Sequence, residues 1–376
     1  MVDRNSKMYD KKLLKDLLID PNNLDKYLSN FKNFKKEMKK DLVNINFWKE
    51  KRVLVTGVSG FVGSHVTEKL LELGCEIFGF VRRHSVPEYR NISHIINRIR
   101  LIEGNLTDFD SILTVLNDIE PEVIFHLGAQ SFVPTSFKVP IETYETNIVG
   151  TAKLLGACRK SSADVKTIQI ACSSEEYGLV YPDELPITEN NPLRPQSPYG
   201  ASKVATELIA KTHYTCYGTP VKITRAFNHT GPRRGLQFVT SVVARQIARD
   251  IVKKKNTVTI GNPKPIRDFT DVRDMVQGYL LSVEKGKIAE PYNLGHGCGI
   301  SIENLIKLTA NIYGLNVKIE IDKLRFRPAE VEVLICDYSK ARKELGYMPR
   351  IPLTKAMYDN VEYFKNNPYL LDVERN

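Results

Sequence analysis

Tyr199 and Lys203 are the residues that could most readily do chemistry together, because they stand four positions apart just after Pro198, a typical first residue of a helix. Residues four apart share one face of a helix, so we expect the phenol and the ammonium to be neighbours. A tyrosine has an ordinary pKa of about 10, and an adjacent positive charge favours its phenolate form. The pair therefore predicts a proton acceptor for an alcohol that is being oxidised. The alternative is an exposed tyrosine and lysine without a chemical role.

A second polar group follows the apolar segment 166–171, which predicts a buried strand. This strand leads directly into Ser173-Ser-Glu175, and a proline-rich loop connects that run to the helix of Tyr199. Because ligands of parallel sheets bind at the carboxyl ends of strands, the run strengthens the chemical interpretation of Tyr199 and Lys203. The alternative for Glu175 is a structural residue at the end of a strand.

Three glycines mark the turn between the first predicted strand and the helix over 64–73. Gly57 permits a tight turn, Gly60 lets a pyrophosphate approach the backbone, and Gly63 lets the helix pack closely on the strand. The free N–H groups and the positive dipole end of the helix favour an anion at this turn. The pattern predicts a dinucleotide site, and an ordinary glycine turn is the alternative.

Strand and helix patterns alternate after this turn, as in a doubly wound α/β fold. The predicted strands are 53–55, 76–81, 100–103, 123–127, 166–171 and 221–225, and the predicted helices include 64–73, 111–119 and 141–160. We therefore predict a Rossmann parallel sheet. Its NAD(P)-binding domain covers 51–228, a smaller substrate-binding lobe covers 229–376 and remains interleaved with the sheet, and residues 1–50 form a helical N-terminal extension.

The carboxyl ends of the predicted strands supply further cofactor contacts. The predicted contacts are Phe61, Val62, Asn105, Leu106, Leu127 and Ala129, with Arg82 and Arg83 after the second strand. An acidic residue after the second strand usually holds a free ribose 2′-hydroxyl, whereas arginine suits a 2′-phosphate. The two arginines therefore favour NADP over NAD, and the alternative is a solvated loop.

The composition indicates a globular protein, since 42% of the 376 residues are hydrophobic and 26% are charged. No apolar run approaches the roughly twenty residues of a membrane helix, and the N-terminus does not resemble a signal peptide, so we expect a cytoplasmic protein without a membrane partner. The formal net charge is +10, but no arginine-rich tract accompanies it, which favours a small anionic substrate over nucleic acid. The six cysteines lack paired short spacings, so we predict reduced thiols and no disulfide or metal site.

The glycine turn, Ser173, Tyr199 and Lys203 together resemble the extended short-chain dehydrogenase/reductase superfamily, and the resemblance runs from Lys51 to about Leu353. Several longer runs resemble its GDP-mannose 4,6-dehydratase branch and the closely related GDP-4-keto-6-deoxymannose reductases. These runs are Leu127-Gly-Ala-Gln-Ser131, Ser173-Ser-Glu175, Arg194-Pro-Gln-Ser-Pro-Tyr-Gly200, Phe227-Asn-His229, Pro232-Arg-Arg-Gly235, Phe238-Val-Thr240, Arg267-Asp268 and Arg327-Pro-Ala-Glu330.

The resemblance implies a role for each catalytic candidate. Ser173 would hydrogen-bond the C4 hydroxyl of the sugar, Tyr199 would take its proton while a hydride leaves C4, and Lys203 would hold the phenolate and the cofactor ribose. Glu175 would remove the C5 proton and help the C6 hydroxyl to leave as water, after which the hydride returns to C6. A carboxylate is a suitable acid and base for such an elimination. Glu176 has no counterpart in the dehydratase pattern.

The resemblance also implies contacts to a nucleoside-diphosphate sugar. Arginine suits phosphate oxygens, and Arg267 and Arg327 would hold the diphosphate. Asn228 would contact the first phosphate or the sugar, Ser131 would lie against the substrate, and Glu330 would take the nucleotide ribose. The Pro232-Arg-Arg-Gly235 run resembles a loop that reaches a neighbouring subunit near the cofactor.

Three functions stay open at this point. The first is a nucleotide-sugar 4,6-dehydratase that acts on GDP-mannose or a related GDP-hexose, and the second is an NAD(P)H-dependent reductase of the 4-keto-6-deoxy product or a nucleotide-sugar epimerase. The third is a cofactor-binding protein without catalysis, which the presence of Ser173, Tyr199 and Lys203 disfavours. By analogy with the family we expect a homodimer or homotetramer.

Overall fold

The computed structural model describes residues 17–19, 42–83 and 89–372 of the chain. Its strands are β1 (Arg52–Thr56), β2 (Glu76–Val81), β3 (Arg100–Glu103), β4 (Val123–His126), β5 (Thr167–Ser173), β6 (Val221–Ala226), β7 (Asn228–Thr230), β8 (Thr257–Ile260), β9 (Ile266–Asp271), β10 (Pro291–Leu294), β11 (Gly299–Ser301), β12 (Lys318–Ile321) and β13 (Val333–Leu334).

The α-helices connect and cover these strands. They are α1 (Ile45–Trp48), α2 (Phe61–Glu72), α3 (Phe109–Ile119), α4 (Val133–Lys138), α5 (Pro140–Tyr144), α6 (Gly150–Lys160), α7 (Pro198–Tyr217), α8 (Val239–Lys253), α9 (Val272–Lys285), α10 (Ile302–Ile312), α11 (Ser339–Leu345) and α12 (Leu353–Lys365). Within the described ranges, every helix is too short or too polar to span a lipid bilayer.

The main sheet has seven parallel strands in the order β3-β2-β1-β4-β5-β6-β10. Successive residues of a strand face opposite sides of a sheet, and β1 shows how both sides are covered. Val53 and Val55 pack with α2 and α9 on one side, whereas Leu54 packs with α3, α6 and α7 on the other side. The six predicted strands are confirmed to within two residues at either end, and the doubly wound α/β prediction is confirmed with them.

The seventh strand comes from the C-terminal part of the chain. β10 pairs with β6, and α9 packs beneath the same sheet, so residues beyond 229 contribute to both parts of the molecule. A separate sheet has the order β11-β9-β13 with β7 also paired to β9, and a two-stranded sheet joins β8 to β12. A second hydrophobic core lies inside this lobe and includes residues of α8, α10 and α12.

Two predicted helices differ from the observed ones. α2 begins at Phe61 rather than Ser64, because Gly60 takes the extended conformation of an N-cap residue. The segment predicted as one helix over 141–160 contains α5, a π-helical turn over Glu145–Val149, and α6 in immediate succession. π turns inside helices frequently occur at functional sites, where they change the direction of a side chain.

Only 17–19 and 42–50 of the predicted N-terminal extension belong to the described residues, and the rest of the predicted helical segment lies outside them. Leu17 and Ile19 exchange backbone hydrogen bonds of 2.8 and 2.9 Å with Gly299 of the lobe. Trp48 at the end of α1 is fully buried against Phe125 of β4. The described parts of the extension therefore pack on this same chain, one on the lobe and one on the main sheet.

Candidate active site

A cavity of about 710 Å³ lies at the carboxyl edge of the main sheet. Its walls come from the segments that follow β1, β4, β5 and β6, and from the first turns of α7. Doubly wound sheets bind their ligands at this edge, so the structure brings together the strand ends that the sequence singled out.

The glycine turn fits a bound dinucleotide because it leaves no room for side chains at two positions. Gly57 has a φ of +71°, and a Cβ there would lie 2.9 Å from the backbone of Gly128. A Cβ at Gly63 would lie 2.1 Å from the carbonyl oxygen of Gly57, so α2 packs directly on the turn. The N-cap residue Gly60 offers no side-chain acceptor, and the first N–H groups of α2 stay available to an anion.

The predicted cofactor residues lie at the cavity with one exception. Gly57, Gly60, Phe61, Val62, Gly63, Arg82, Asn105, Leu106, Leu127 and Ala129 all line it. Arg83 does not line it, because its exposed side chain points to Glu103 with a distance of 3.8 Å between the charged groups. The structure therefore separates the adjacent arginines, and only Arg82 borders the cavity.

A buried hydrogen-bond chain that the sequence analysis missed holds the loop after β4. The Thr56 hydroxyl accepts the N–H groups of Leu127 and Gly128 at 3.1 and 3.0 Å, and it lies 3.0 Å from a ring nitrogen of His126. The other ring nitrogen of His126 lies 3.0 Å from the Thr151 hydroxyl. Burial lowers the pKa of His126 to about 3, so the ring is a neutral structural bridge.

Ser173 and Tyr199 meet inside the cavity, as the sequence predicts. The Ser173 hydroxyl oxygen accepts the N–H of Glu175 at 3.2 Å, and its own O–H hydrogen-bonds the Tyr199 phenol. Ser173 is 8% exposed and Tyr199 is 9% exposed, so both groups are largely desolvated. Glu175 also lines the cavity beside this pair.

The expected activation of Tyr199 by Lys203 is not what the structure shows. Lys203 donates a 2.7 Å hydrogen bond to the carbonyl of Ala171, and its ammonium lies 5.9 Å from the centre of the Tyr199 ring. Burial raises the pKa of Tyr199 although the Ser173 hydrogen bond opposes that rise, and burial lowers the pKa of Lys203. Desolvation therefore outweighs the neighbouring charge that the sequence analysis relied on.

The predicted substrate residues divide into two groups. Ser131, Asn228 and Arg327 line the cavity, and the Asn228 Oδ1 atom is buried without a hydrogen-bond partner among the described residues. Such an atom suits a ligand that can donate a hydrogen bond.

Arg267 and Glu330 lie outside the cavity wall. The buried Arg267 guanidinium donates to the carbonyl of Val331 at 2.6 Å and to Glu330 at 3.3 Å. Glu330 in turn lies 3.7 Å from Arg327. Direct diphosphate binding by Arg267 is therefore not supported, because backbone carbonyls and Glu330 already surround its charge.

The two arginines of the 232–235 run both contact residues of this chain. Arg233 binds both oxygens of Glu68 on α2, at 2.6 and 2.5 Å. Arg234 lines the cavity, where its guanidinium lies 4.1 Å from the ring centre of Phe238 and 5.2 Å from that of Phe61.

Arg234 is a site residue that the sequence analysis assigned elsewhere. Among the described residues its side chain has no hydrogen bond or ion pair, and burial lowers its pKa to about 10. A partly buried guanidinium that lines a cavity is suited to an anionic ligand. His229 also lines the cavity and stacks on Phe61, with 5.8 Å between the ring centres.

Asn147 has a structural role next to the cavity wall. It lies in the π turn, accepts the N–H of Gln130 at 2.9 Å, and donates to the carbonyl of Gln130 at 3.0 Å and to the Ser202 hydroxyl at 2.9 Å. The π turn therefore fastens the cavity loop after β4 to α7, the helix of Tyr199.

Comparisons with known proteins agree with this site. The family model of the GDP-mannose 4,6 dehydratases matches residues 54–359. GDP-mannose 4,6 dehydratase 2 of Arabidopsis thaliana is 35% identical over 340 residues, which cover 86% of this chain and 90% of the relative.

Two solved structures share the fold. One is RMD from Pseudomonas aeruginosa complexed with NADPH, with a TM-score of 0.72 and 29% identity over 84% of this chain and 99% of that chain. The other is DesIV, a dTDP-glucose 4,6-dehydratase from Streptomyces venezuelae with NAD and TYD bound, with a TM-score of 0.75 and 26% identity over 85% of this chain and 99% of that chain. With its glycine turn, its serine and tyrosine pair and a family match across most of its length, the chain belongs to the GDP-mannose 4,6-dehydratase family.

Proposed function

We propose that this protein is a GDP-mannose 4,6-dehydratase that uses NADP as a resident hydride carrier. The single observation that carries the proposal is the convergence of Ser173, Tyr199 and Glu175 in one desolvated cavity beside a glycine turn built for a dinucleotide. The family match and the relative from Arabidopsis thaliana support GDP-mannose as the substrate.

The first half of the reaction is an oxidation at C4 of the sugar. Ser173 donates a hydrogen bond to the C4 oxygen, and Tyr199 takes the proton of the C4 hydroxyl as a hydride leaves the same carbon. Lys203 lies one helical turn beyond Tyr199, with its ammonium 5.9 Å from the ring centre, and its positive charge would offset part of the desolvation that opposes the phenolate. A nicotinamide, when bound beside these residues, would supply the hydride acceptor and donor for the reaction.

The second half is the loss of water across C5 and C6. The ketone at C4 makes the C5 hydrogen acidic, and Glu175 removes it and delivers a proton to the departing C6 hydroxyl. The hydride then enters at C6, and one proton returns to C5 to balance the proton taken by Tyr199. The sugar loses one water overall, and the cofactor ends in its starting oxidation state.

The cavity provides cations for the phosphates of both ligands. Arg327, held in place by Glu330, suits the diphosphate of the substrate, and Asn228 suits its first phosphate or the sugar. Arg234 is a further cation for an anionic group. Arg82 is the residue that supports NADP over NAD, because it alone of the 82–83 pair borders the cavity.

We also propose that the protein is a homodimer or homotetramer and that it is cytoplasmic. Ile141 of α5 and Leu208 of α7 are 64% and 55% exposed on helices that contact each other, which supports a homodimer or homotetramer. The six cysteines are free thiols, which supports a cytoplasmic location.

The test is incubation of the purified protein and GDP-mannose without added reductant, followed by mass spectrometry of the products. We expect a 4-keto-6-deoxy sugar nucleotide lighter by one water, and Glu175→Gln should abolish water loss while C4 oxidation stays detectable as a transient NADPH absorbance. The wild-type protein could instead leave GDP-mannose unchanged and oxidise NADPH when the 4-keto-6-deoxy sugar nucleotide is supplied. That result would overturn the dehydratase in favour of the reductase. Unchanged turnover of Glu175→Gln would remove Glu175 from the mechanism.

A further inference from the structure

Glu176 is a buried carboxylate immediately behind the catalytic run. Its side chain is fully buried, and one carboxylate oxygen accepts the backbone N–H of Ser173 at 2.8 Å. The Ser173 hydroxyl oxygen accepts the N–H of Glu175 in return, so the two side chains close a reciprocal capping box around one 3₁₀ turn. This turn sets the direction of the Ser173 hydroxyl and of the Glu175 side chain.

Titratable groups from β5, β6 and α7 face Glu176. Arg225 of β6 donates to both oxygens of Glu207 of α7, at 2.8 and 2.7 Å, and its Nε atom lies 3.7 Å from the second oxygen of Glu176. Lys203 and Tyr199 approach from α7. The Cys172 thiol lies within 4.8 Å of both carboxylates, but Arg225 already neutralises Glu207, so these groups do not suit a metal ion.

The second oxygen of Glu176 is buried without a hydrogen-bond partner among the described residues. A leucine would fill the same space without leaving a buried polar atom unsatisfied. What the glutamate adds is the acceptor for the N–H of Ser173. Its burial and the nearby Glu207 charge raise the pKa of Glu176 above its ordinary value, which favours the neutral acid.

We propose that Glu176 is a positioning residue for the dehydration: by accepting the Ser173 N–H, it fixes the turn that directs the Ser173 hydroxyl to Tyr199 and places Glu175 in the cavity. The inference rests on the proposed function and deepens it. Glu176 itself lies outside the cavity wall and touches no reacting atom.

The first test compares Glu176→Leu, which removes the acceptor, with Glu176→Gln, which keeps it. We expect Glu176→Leu to fold and to lose kcat by about 10- to 100-fold with little change in KM, because misplaced catalytic groups lose rate rather than binding. Glu176→Gln should restore most of kcat at pH 7. Glu189→Leu is the matched control, since Glu189 also accepts a backbone N–H, from Asn293 at 2.7 Å, but does not line the cavity.

Hydrogen exchange of the peptide that contains residues 173–177 provides a readout that needs no turnover. We expect Glu176→Leu to accelerate exchange there, and Glu176→Gln and Glu189→Leu to leave it nearly unchanged. Three results would each overturn the positioning role. Glu176→Leu could exchange at the wild-type rate, Glu176→Leu could keep the full kcat, or Glu176→Gln could lose as much kcat as Glu176→Leu. An inactive wild-type protein would contradict the proposed function, while the exchange data would still decide the role of Glu176.

A pH profile tests the neutral state of Glu176. The raised pKa keeps the wild-type acid neutral, like glutamine, to a higher pH than an ordinary glutamate, and its negative charge, once formed, raises the pKa of Tyr199. We therefore expect the ratio of kcat in Glu176→Gln to kcat in the wild type to rise as the pH is raised through the range in which Glu176 loses its proton. A flat ratio would overturn the assignment of a titrating proton to Glu176.

Discussion

At the scale of single residues, neighbours of the same type have different environments in this protein. Arg82 borders the cavity and Arg83 points to Glu103, while Arg233 binds Glu68 and Arg234 lies in the cavity. The second pair has a clear backbone cause, because Arg233 has a φ of +71° and the chain reverses there. A sequence shows that arginines are adjacent but does not show which one a turn directs inward.

The Arg82 and Arg83 pair allows a matched test of the cofactor preference. We expect Arg82→Ala to weaken NADPH binding by about tenfold or more, since a charge-assisted hydrogen bond contributes about 1.5–3 kcal/mol, and to leave NADH binding unchanged. Arg83→Ala removes the same formal charge outside the cavity and is the control. Fluorescence titrations at one ionic strength measure both affinities, and equal losses for NADH and NADPH would contradict the preference for NADP.

At the scale of elements, the sequence predicted those site residues whose positions depend only on the ends of parallel strands. Gly57 directly follows β1, Ser173 ends β5 and Asn228 lies two residues after β6, and all three line the cavity. Arg267 and Glu330 could not be placed in this way, because their positions depend on how β9 packs against the 330–332 backbone. The sequence also did not predict the π turn, because the residues of this turn fit an ordinary helical pattern.

The π turn makes a prediction about the loop that it holds. Asn147→Ala leaves the buried N–H and carbonyl of Gln130 without their partner, so we expect the free energy of unfolding to fall by about 1–3 kcal/mol. The resulting displacement of the cavity loop should lower kcat/KM by about 10- to 100-fold. Urea unfolding and steady-state kinetics measure the two effects.

Asn117→Ala is the control for this experiment. Asn117 also accepts a backbone N–H, from Ser162 at 2.9 Å, but it lies on the exposed surface. We expect this variant to keep wild-type activity and nearly all of the wild-type stability. An Asn147→Ala protein with wild-type kcat/KM would show that the loop does not depend on the π turn.

At the scale of the whole molecule, the described parts of the N-terminal extension join regions that are distant in sequence. Leu17 and Ile19 extend the lobe sheet at Gly299, whereas Trp48 stacks on Phe125 at 5.9 Å and donates to Glu284 of α9 at 2.6 Å. The sequence analysis predicted a helical extension over 1–50, and most of that segment lies outside the described residues.

Trp48 is the only tryptophan of the chain, and its ring is fully buried. We expect Trp48→Ala to lower the free energy of unfolding by about 3–5 kcal/mol, as truncation of a large buried aromatic ring does elsewhere. Trp48→Phe keeps an aromatic ring and loses the hydrogen bond to Glu284, so it should cost less. Urea unfolding followed by circular dichroism measures the free energy of unfolding of both variants. A Trp48→Ala protein as stable as the wild type would contradict an anchoring role for Trp48.

The central claim is that one cavity moves a hydride out of the sugar and returns it to the same molecule. The direct measurement uses GDP-mannose that carries deuterium at C4, with analysis of the product by NMR and mass spectrometry. The account predicts a 4-keto-6-deoxy product that retains the deuterium at C6, with no net consumption of cofactor. Recovery of unchanged substrate, or a product whose deuterium is lost to solvent or to added cofactor, would contradict it.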